Sequence, residues 1–131
     1  MAYLSKKQIL EAPDIKTEIV SAPEWGGEVP VRGLTGTGRD AFEASCVNID
    51  GKKVVPDLTN IRAKLVSRCV VDADGELIFD ESDVVALGEK SAVALQRLFE
   101  VAQRLSGLTK EDVEELAKNS GSALKGASTS G

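Results

Sequence analysis

The stretch Ala22-Pro-Glu-Trp-Gly-Gly-Glu-Val-Pro-Val-Arg-Gly-Leu-Thr35 constrains the fold of this chain more than any other segment. Lys16 to Ala22 alternates loosely around Ile19 and Val20 and reads as a strand that Pro23 ends. Glu24-Trp25-Gly26-Gly27 reads as a tight turn, because glycine adopts positive φ without a Cβ penalty. Glu28 to Leu34 reads as the returning strand. Pro30 cannot donate to a ladder, so the pair is expected at a sheet edge. Thr35 stands where a helix N-cap belongs. The segment therefore predicts a β-hairpin over about 16–34 that feeds directly into a helix over about 36–47.

The remainder reads as mostly helical. Ser5 can start a short helix that Pro13 stops. Asp50-Gly51 marks a turn within a loop that includes a small extended excursion through Lys53-Val54-Val55. Leu58, Ile61, Leu65, Val66 and Cys69 recur at helical spacing and predict a helix over about 57–71. Asp72-Ala-Asp-Gly75 reads as a turn, and Leu77-Ile-Phe79 as a short extended piece. Asp80 can cap a helix over about 81–87 that Gly88 ends. The clearest element is a helix over about 91–105, with Leu95, Leu98, Ala102 and Leu105 on one stripe and Phe99 widening it. Thr109-Lys-Glu-Asp112 forms a capping box with Asp in place of the usual Glu or Gln and opens a helix over about 110–118. Residues 119–131 are a low-complexity Gly/Ser-rich tail, expected to be flexible. The fold class is α+β: one domain over 1–118, with an N-terminal β-hairpin packed on helices, then the tail.

Composition limits the chemistry. Net charge is -5 and there is no Lys/Arg run, which disfavours nucleic acid as a partner. No apolar run approaches the roughly 20 residues of a membrane span, and no secretory leader is recognisable. Histidine is absent, which removes Ser-His-Asp and Cys-His catalysis and most zinc sites. Cys46 and Cys69 fall among aliphatic residues in the expected helices and read as buried free thiols. No cofactor, metal or catalytic residue is expected.

Four patterns invite a functional reading. Gly36-Thr-Gly-Arg-Asp-Ala41 matches a dinucleotide fingerprint, and a small nucleotide-binding enzyme is one reading of it. However, the preceding strand carries Glu28, Pro30 and Arg32 instead of the apolar run of a central parallel strand. Asp72-Ala-Asp-Gly75 has the look of a calcium loop but has Val70 where a first oxygen ligand belongs. Glu111, Asp112, Glu114 and Glu115 sit in the first turns of a helix, where carboxylates oppose the positive dipole end. The stripe Leu95, Leu98, Phe99, Ala102 and Leu105 is core at least in part, and is also a candidate groove for a partner helix or a self-association surface. Trp25, the sole tryptophan, is a lid over the core or an exposed anchor.

A succession of segments carries a family resemblance: residues 9–18 (Ile-Leu-Glu-Ala-Pro-Asp-Ile-Lys-Thr-Glu), Pro-Glu-Trp-Gly-Gly, Val-Arg-Gly-Leu-Thr, Arg39-Asp-Ala-Phe-Glu, Asp72-Ala-Asp-Gly, Leu77-Ile-Phe, Leu87-Gly-Glu-Lys-Ser and Leu98-Phe-Glu-Val-Ala-Gln-Arg-Leu-Ser-Gly-Leu. Over about residues 3–119 this order resembles the tail assembly chaperones of long-tailed, siphovirus-like bacteriophages. The resemblance implies a non-enzymatic protein of the host bacterial cytoplasm. Such a protein binds the tape measure protein and keeps it soluble until tail tube subunits polymerise around it, and is missing from the mature virion. It further implies the short product of a gene with a longer, frameshifted form. It fixes no binding residues. A structural virion protein, either a head-tail connector or a tail tube component, is the alternative from another class.

Overall fold

The structure, a computed structural model, describes residues 3–116. Ser5 starts helix α1 (Lys6–Glu11) through a reciprocal capping box with Gln8. Strands β1 (Thr17–Ala22) and β2 (Gly27–Arg32) pair antiparallel, in register from Thr17 opposite Arg32 to Ala22 opposite Gly27. Their connection is a 3-10 turn, Pro23–Trp25, followed by Gly26 at φ 78°, the left-handed geometry that favours glycine. Alternation puts Val20, Ala22 and Val31 inward while Ile19 faces out. Pro30 faces away from β1 and loses nothing by lacking an N–H. Its carbonyl accepts from the Val71 N–H at 3.0 Å, and the Arg32 N–H donates to the Cys69 carbonyl at 2.8 Å. The outer edge of β2 is thus covered by a short bridge between Val31 and Val70.

Helix α2 (Gly36–Ser45) starts at Thr35, whose hydroxyl accepts from the Gly38 N–H at 2.9 Å. A second hairpin follows, β3 (Val47–Asp50) with β4 (Lys53–Pro56), turning at Gly51. The loop expected over 48–56 is therefore a β-hairpin. The helix expected over 57–71 is shorter, α3 (Ile61–Ser67). At its start the Asp57 carboxylate accepts from the Thr59 N–H at 3.1 Å and holds a non-helical turn. Past its end the chain straightens to meet β2, so Cys69 lies in the bridge segment and not in a helix. Cys46 caps the end of α2.

The Leu77 end of the extended piece pairs with Val71. A 3-10 turn over Glu81–Asp83, boxed by Asp80 and Asp83, leads into α4 (Val84–Gly88). Ser91 caps α5 (Ala92–Leu105), the longest helix among the described residues. Thr109 and Asp112 cap each other's backbone N–H groups at 2.8 and 2.9 Å, opening a helical stretch over 110–116. The tail expected over 119–131 and the last turn of the 110–118 helix lie outside the described residues.

The two hairpins form separate two-stranded antiparallel sheets. With the helices packed on them, the class is α+β. Helix α5 packs between the first hairpin and α3, and α3 contacts α4. Between them lies an aliphatic core built on Phe42, Leu65, Val66, Val70 and Leu98 with both cysteines.

Candidate functional site

Helix α5 presents two unlike faces to its surroundings. Ala94, Leu95, Leu98, Phe99 and Ala102 are buried against α3 and the hairpin. Leu98 keeps 1% of its surface and Ala102 none, so in this conformation they offer no area to a partner. Leu105 is half-buried at the rim of the same core. The stripe singled out in the sequence is one contiguous set, and it faces the interior of the fold.

Beside that stripe, two turns apart, Arg97 and Arg104 clasp the hairpin. Arg97 meets Glu24 in a fork, Nη1 to Oε1 and Nη2 to Oε2, both 2.8 Å, and also reaches the Ser21 carbonyl at 3.3 Å. Arg104 Nη2 reaches both Glu18 oxygens at 2.9 Å. The Arg97 hydrogen bonds hold the Glu24 carboxyl at about 2, against an ordinary value of 4.5. Bidentate pairing fixes orientation as well as charge. Here it fixes the 3-10 turn that carries Trp25.

Trp25 is half-buried and packs on the core margin. Trp25 lines an open, mostly apolar cavity of about 280 Å³ together with Phe79, Ala86, Leu87, Asp83 and Lys90. Turn, extended piece and α4 thus converge on one hollow. Sequence reading flagged Trp25 but not Phe79 or Leu87. Their approach to the hairpin goes through the bridge between Val31 and Val70, which is not a local signal.

A depressed carboxyl pKa contributes stability above the unfolded value and loses it as pH falls towards the folded value. Glu24 should therefore hold the Trp25 turn fully above pH 4.5 and release it progressively between 4.5 and about 2. Arg97→Ala should release it at neutral pH. The check is acrylamide quenching of the sole tryptophan: higher for the variant at pH 7, and acid-dependent only in the wild type. Equal quenching at pH 7 would show that Arg97 does not order the turn.

The other patterns resolve into structural roles. Asp72 Oδ1 accepts from the Asp74 and Glu76 N–H groups at 2.8 and 3.0 Å, and Gly75 sits at φ 81°: an Asx-type turn. The strand before Gly36-Thr-Gly38 pairs only antiparallel, and no parallel strand pair occurs among the described residues, so the dinucleotide context is missing. Burial pushes the Cys69 thiol up to about 11 and raises Cys46 as well, which leaves both as inert thiols at neutral pH. Lys64 Nζ donates to the Ser45 carbonyl at 2.6 Å and pairs with Asp57 at 3.8 Å, closing the end of α2 onto α3. Among the described residues no helix is long and apolar enough to cross a membrane.

The whole is a small α+β body with capped helices and a hairpin clasped to a long helix. The model of the phage tail assembly chaperone family matches residues 5–119, and the chain belongs to that family. Among solved structures it is similar to the one described as "Structure of bacteriophage HK97 tail assembly chaperone", at 22% identity and a TM-score of 0.54, covering 76% of this chain and 94% of that one. At that identity the likeness bears on the fold. No curated protein sequence matches.

Proposed function

We propose that this chain binds the tape measure protein during tail morphogenesis in the host cytoplasm, keeps it soluble, and is left out of the finished virion. The carrying observation is the family match across nearly the whole domain, residues 5–119. Physical features support it. The chain is acidic, at net charge -5, and so is suited to remain dispersed while holding apolar helices. Its surface also carries large aliphatic side chains, among them Leu10 at 76% exposure, Ile49 at 78% and Val85 at 69%. No residue of the body is required to do chemistry in this reading; its work is binding. A tail tube protein is a second proposed partner, met when the tube displaces the chaperone. A longer frameshifted product of the same gene is also part of the proposal.

Co-expression tests it. The tape measure protein should be several-fold more abundant in the soluble fraction with this chain present than without it, and should co-purify with it. Equal solubility in both cultures would overturn the proposal. Mass spectrometry of purified particles should find the tape measure protein and not this chain. Stoichiometric amounts in particles would point instead to a connector or tube component.

A further inference from the structure

Two hollows meet along α5. One, of about 230 Å³, is lined from the start of α3, the end of α4 and the start of α5, by residues that include Ile61, Arg62, Ala63, Lys90, Ala92 and Leu95. The other, more open and of about 740 Å³, continues over Val93, Gln96, Arg97 and Glu100. Both are lined by Arg62 and Ala92, so they form one furrow. From Ala92 to Glu100 it follows α5 for about 12 Å, or about two helical turns. Ala63 and Leu95 are buried, while Ala92 and Val93 are exposed.

The furrow reverses the charge of the chain. Three cations and one carboxylate line it, in a chain of net charge -5. No carboxylate lines the smaller hollow. Arg97 is occupied by Glu24, and Glu100 accepts from Gln96 Nε2 at 3.0 Å. Arg62 lies over the Phe99 ring, 5.9 Å from its centre, and its Nε donates to Gln96 Oε1. These contacts hold the guanidinium in place. Among the described residues, neither Arg62 nor Lys90 pairs with a carboxylate. The furrow thus keeps two cations for a partner beside aliphatic side chains. Its walls are mostly helix, with no free strand edge for an extended segment to join. The occupant must therefore satisfy its own backbone, as a helix does.

We infer that this furrow takes an acidic amphipathic helix of the tape measure protein. Carboxylates of that helix meet Arg62 and Lys90, and its aliphatic side chains pack against Ile61, Ala92 and Val93. Anchors at i and i+3 or i+4 suit a furrow of two turns. The inference rests on the tape measure proposal, and adds to it the surface used and the charge of the segment recognised.

The test titrates the full chain into overlapping labelled peptides of the tape measure protein, each long enough to form a helix, and reads fluorescence anisotropy. The peptides that bind should be net acidic, with aliphatic residues at helical spacing, and added salt should weaken them. Arg62→Glu/Lys90→Glu changes only exposed side chains and should weaken binding by roughly tenfold or more. Ala92→Asp should do the same. It puts a carboxylate into the furrow at the first position of α5, where the helix dipole favours one, so the fold is kept. Lys52→Glu/Lys110→Glu makes the same change of net charge at two exposed lysines outside the furrow, and should stay within about twofold of wild type. Four results would each overturn the inference: a wild type that binds no peptide, bound peptides that are net basic, binding undiminished in Arg62→Glu/Lys90→Glu and Ala92→Asp, or an equal loss in Lys52→Glu/Lys110→Glu. The co-expression result decides the tape measure proposal separately, so the two can fail independently.

Discussion

Gly33→Ala should lower stability by about 2–3 kcal/mol, with a fall in Tm of roughly 8–15 °C for a domain this size. Gly33 is buried where β2 leaves the hairpin, and α5 ends against it. A Cβ there would stand 2.5 Å from the carbonyl oxygen of Leu105 and 3.0 Å from its carbon. Both are backbone atoms, so no rotamer can move them aside. The hairpin and α5 must separate instead, which stretches the 2.9 Å bond from the Leu34 N–H to Ser106 Oγ. Gly36→Ala is the matched control. Its Cβ meets nothing within 4 Å, and at a helical position alanine should be neutral or add up to about 1 kcal/mol. Urea midpoints of the two variants check the pair. Equal stability of Gly33→Ala and wild type would show that α5 does not end against the hairpin in solution.

The contrast between the two glycines shows what a sequence can and cannot say. Gly36 lies inside the Gly-Thr-Gly pattern that invites a phosphate reading, yet its lack of a side chain serves no close approach among the described residues. Gly33 lies in an unremarkable Arg-Gly-Leu, and its smallness is required by a helix end 72 residues away. Signals that act over four residues were legible: the Ser5, Thr35, Asp80 and Thr109 caps all accept the N–H groups expected of them. Signals set by distant pairing were not. Periodicity ran α3 on to Val71, because Cys69 and Val70 keep the apolar spacing. The bridge to Val31 takes those residues instead, satisfying β2's outer N–H and carbonyl groups. The β3–β4 hairpin was masked by polar positions, and Ile49, its most apolar residue, points into solvent. At the candidate site Trp25 was visible as a lone aromatic in a turn, while its companions Phe79 and Leu87 belong to segments joined to the hairpin through the distant Val31–Val70 bridge.

The α5 stripe gives the second large expected effect. Leu98→Ala should cost about 2–5 kcal/mol, the range for deleting a fully buried leucine and leaving a cavity. Leu98 keeps 1% of its surface and packs within a core that includes Phe42, Leu65 and Val66. Neighbouring Ala94 and Ala102 are already small and fully buried, so little side-chain mass lies nearby on α5 to fill the gap. Val93→Ala, on the same helix at 65% exposure, should stay within about 0.5 kcal/mol of wild type. The two substitutions separate stability from recognition. A core role predicts that Leu98→Ala shifts the urea midpoint strongly, yet under conditions where the variant remains folded it recovers as much soluble tape measure protein as wild type. Wild-type stability for Leu98→Ala together with lost recovery would mean that the stripe opens to a partner and that α5 is held against the hairpin only by Arg97 and Arg104.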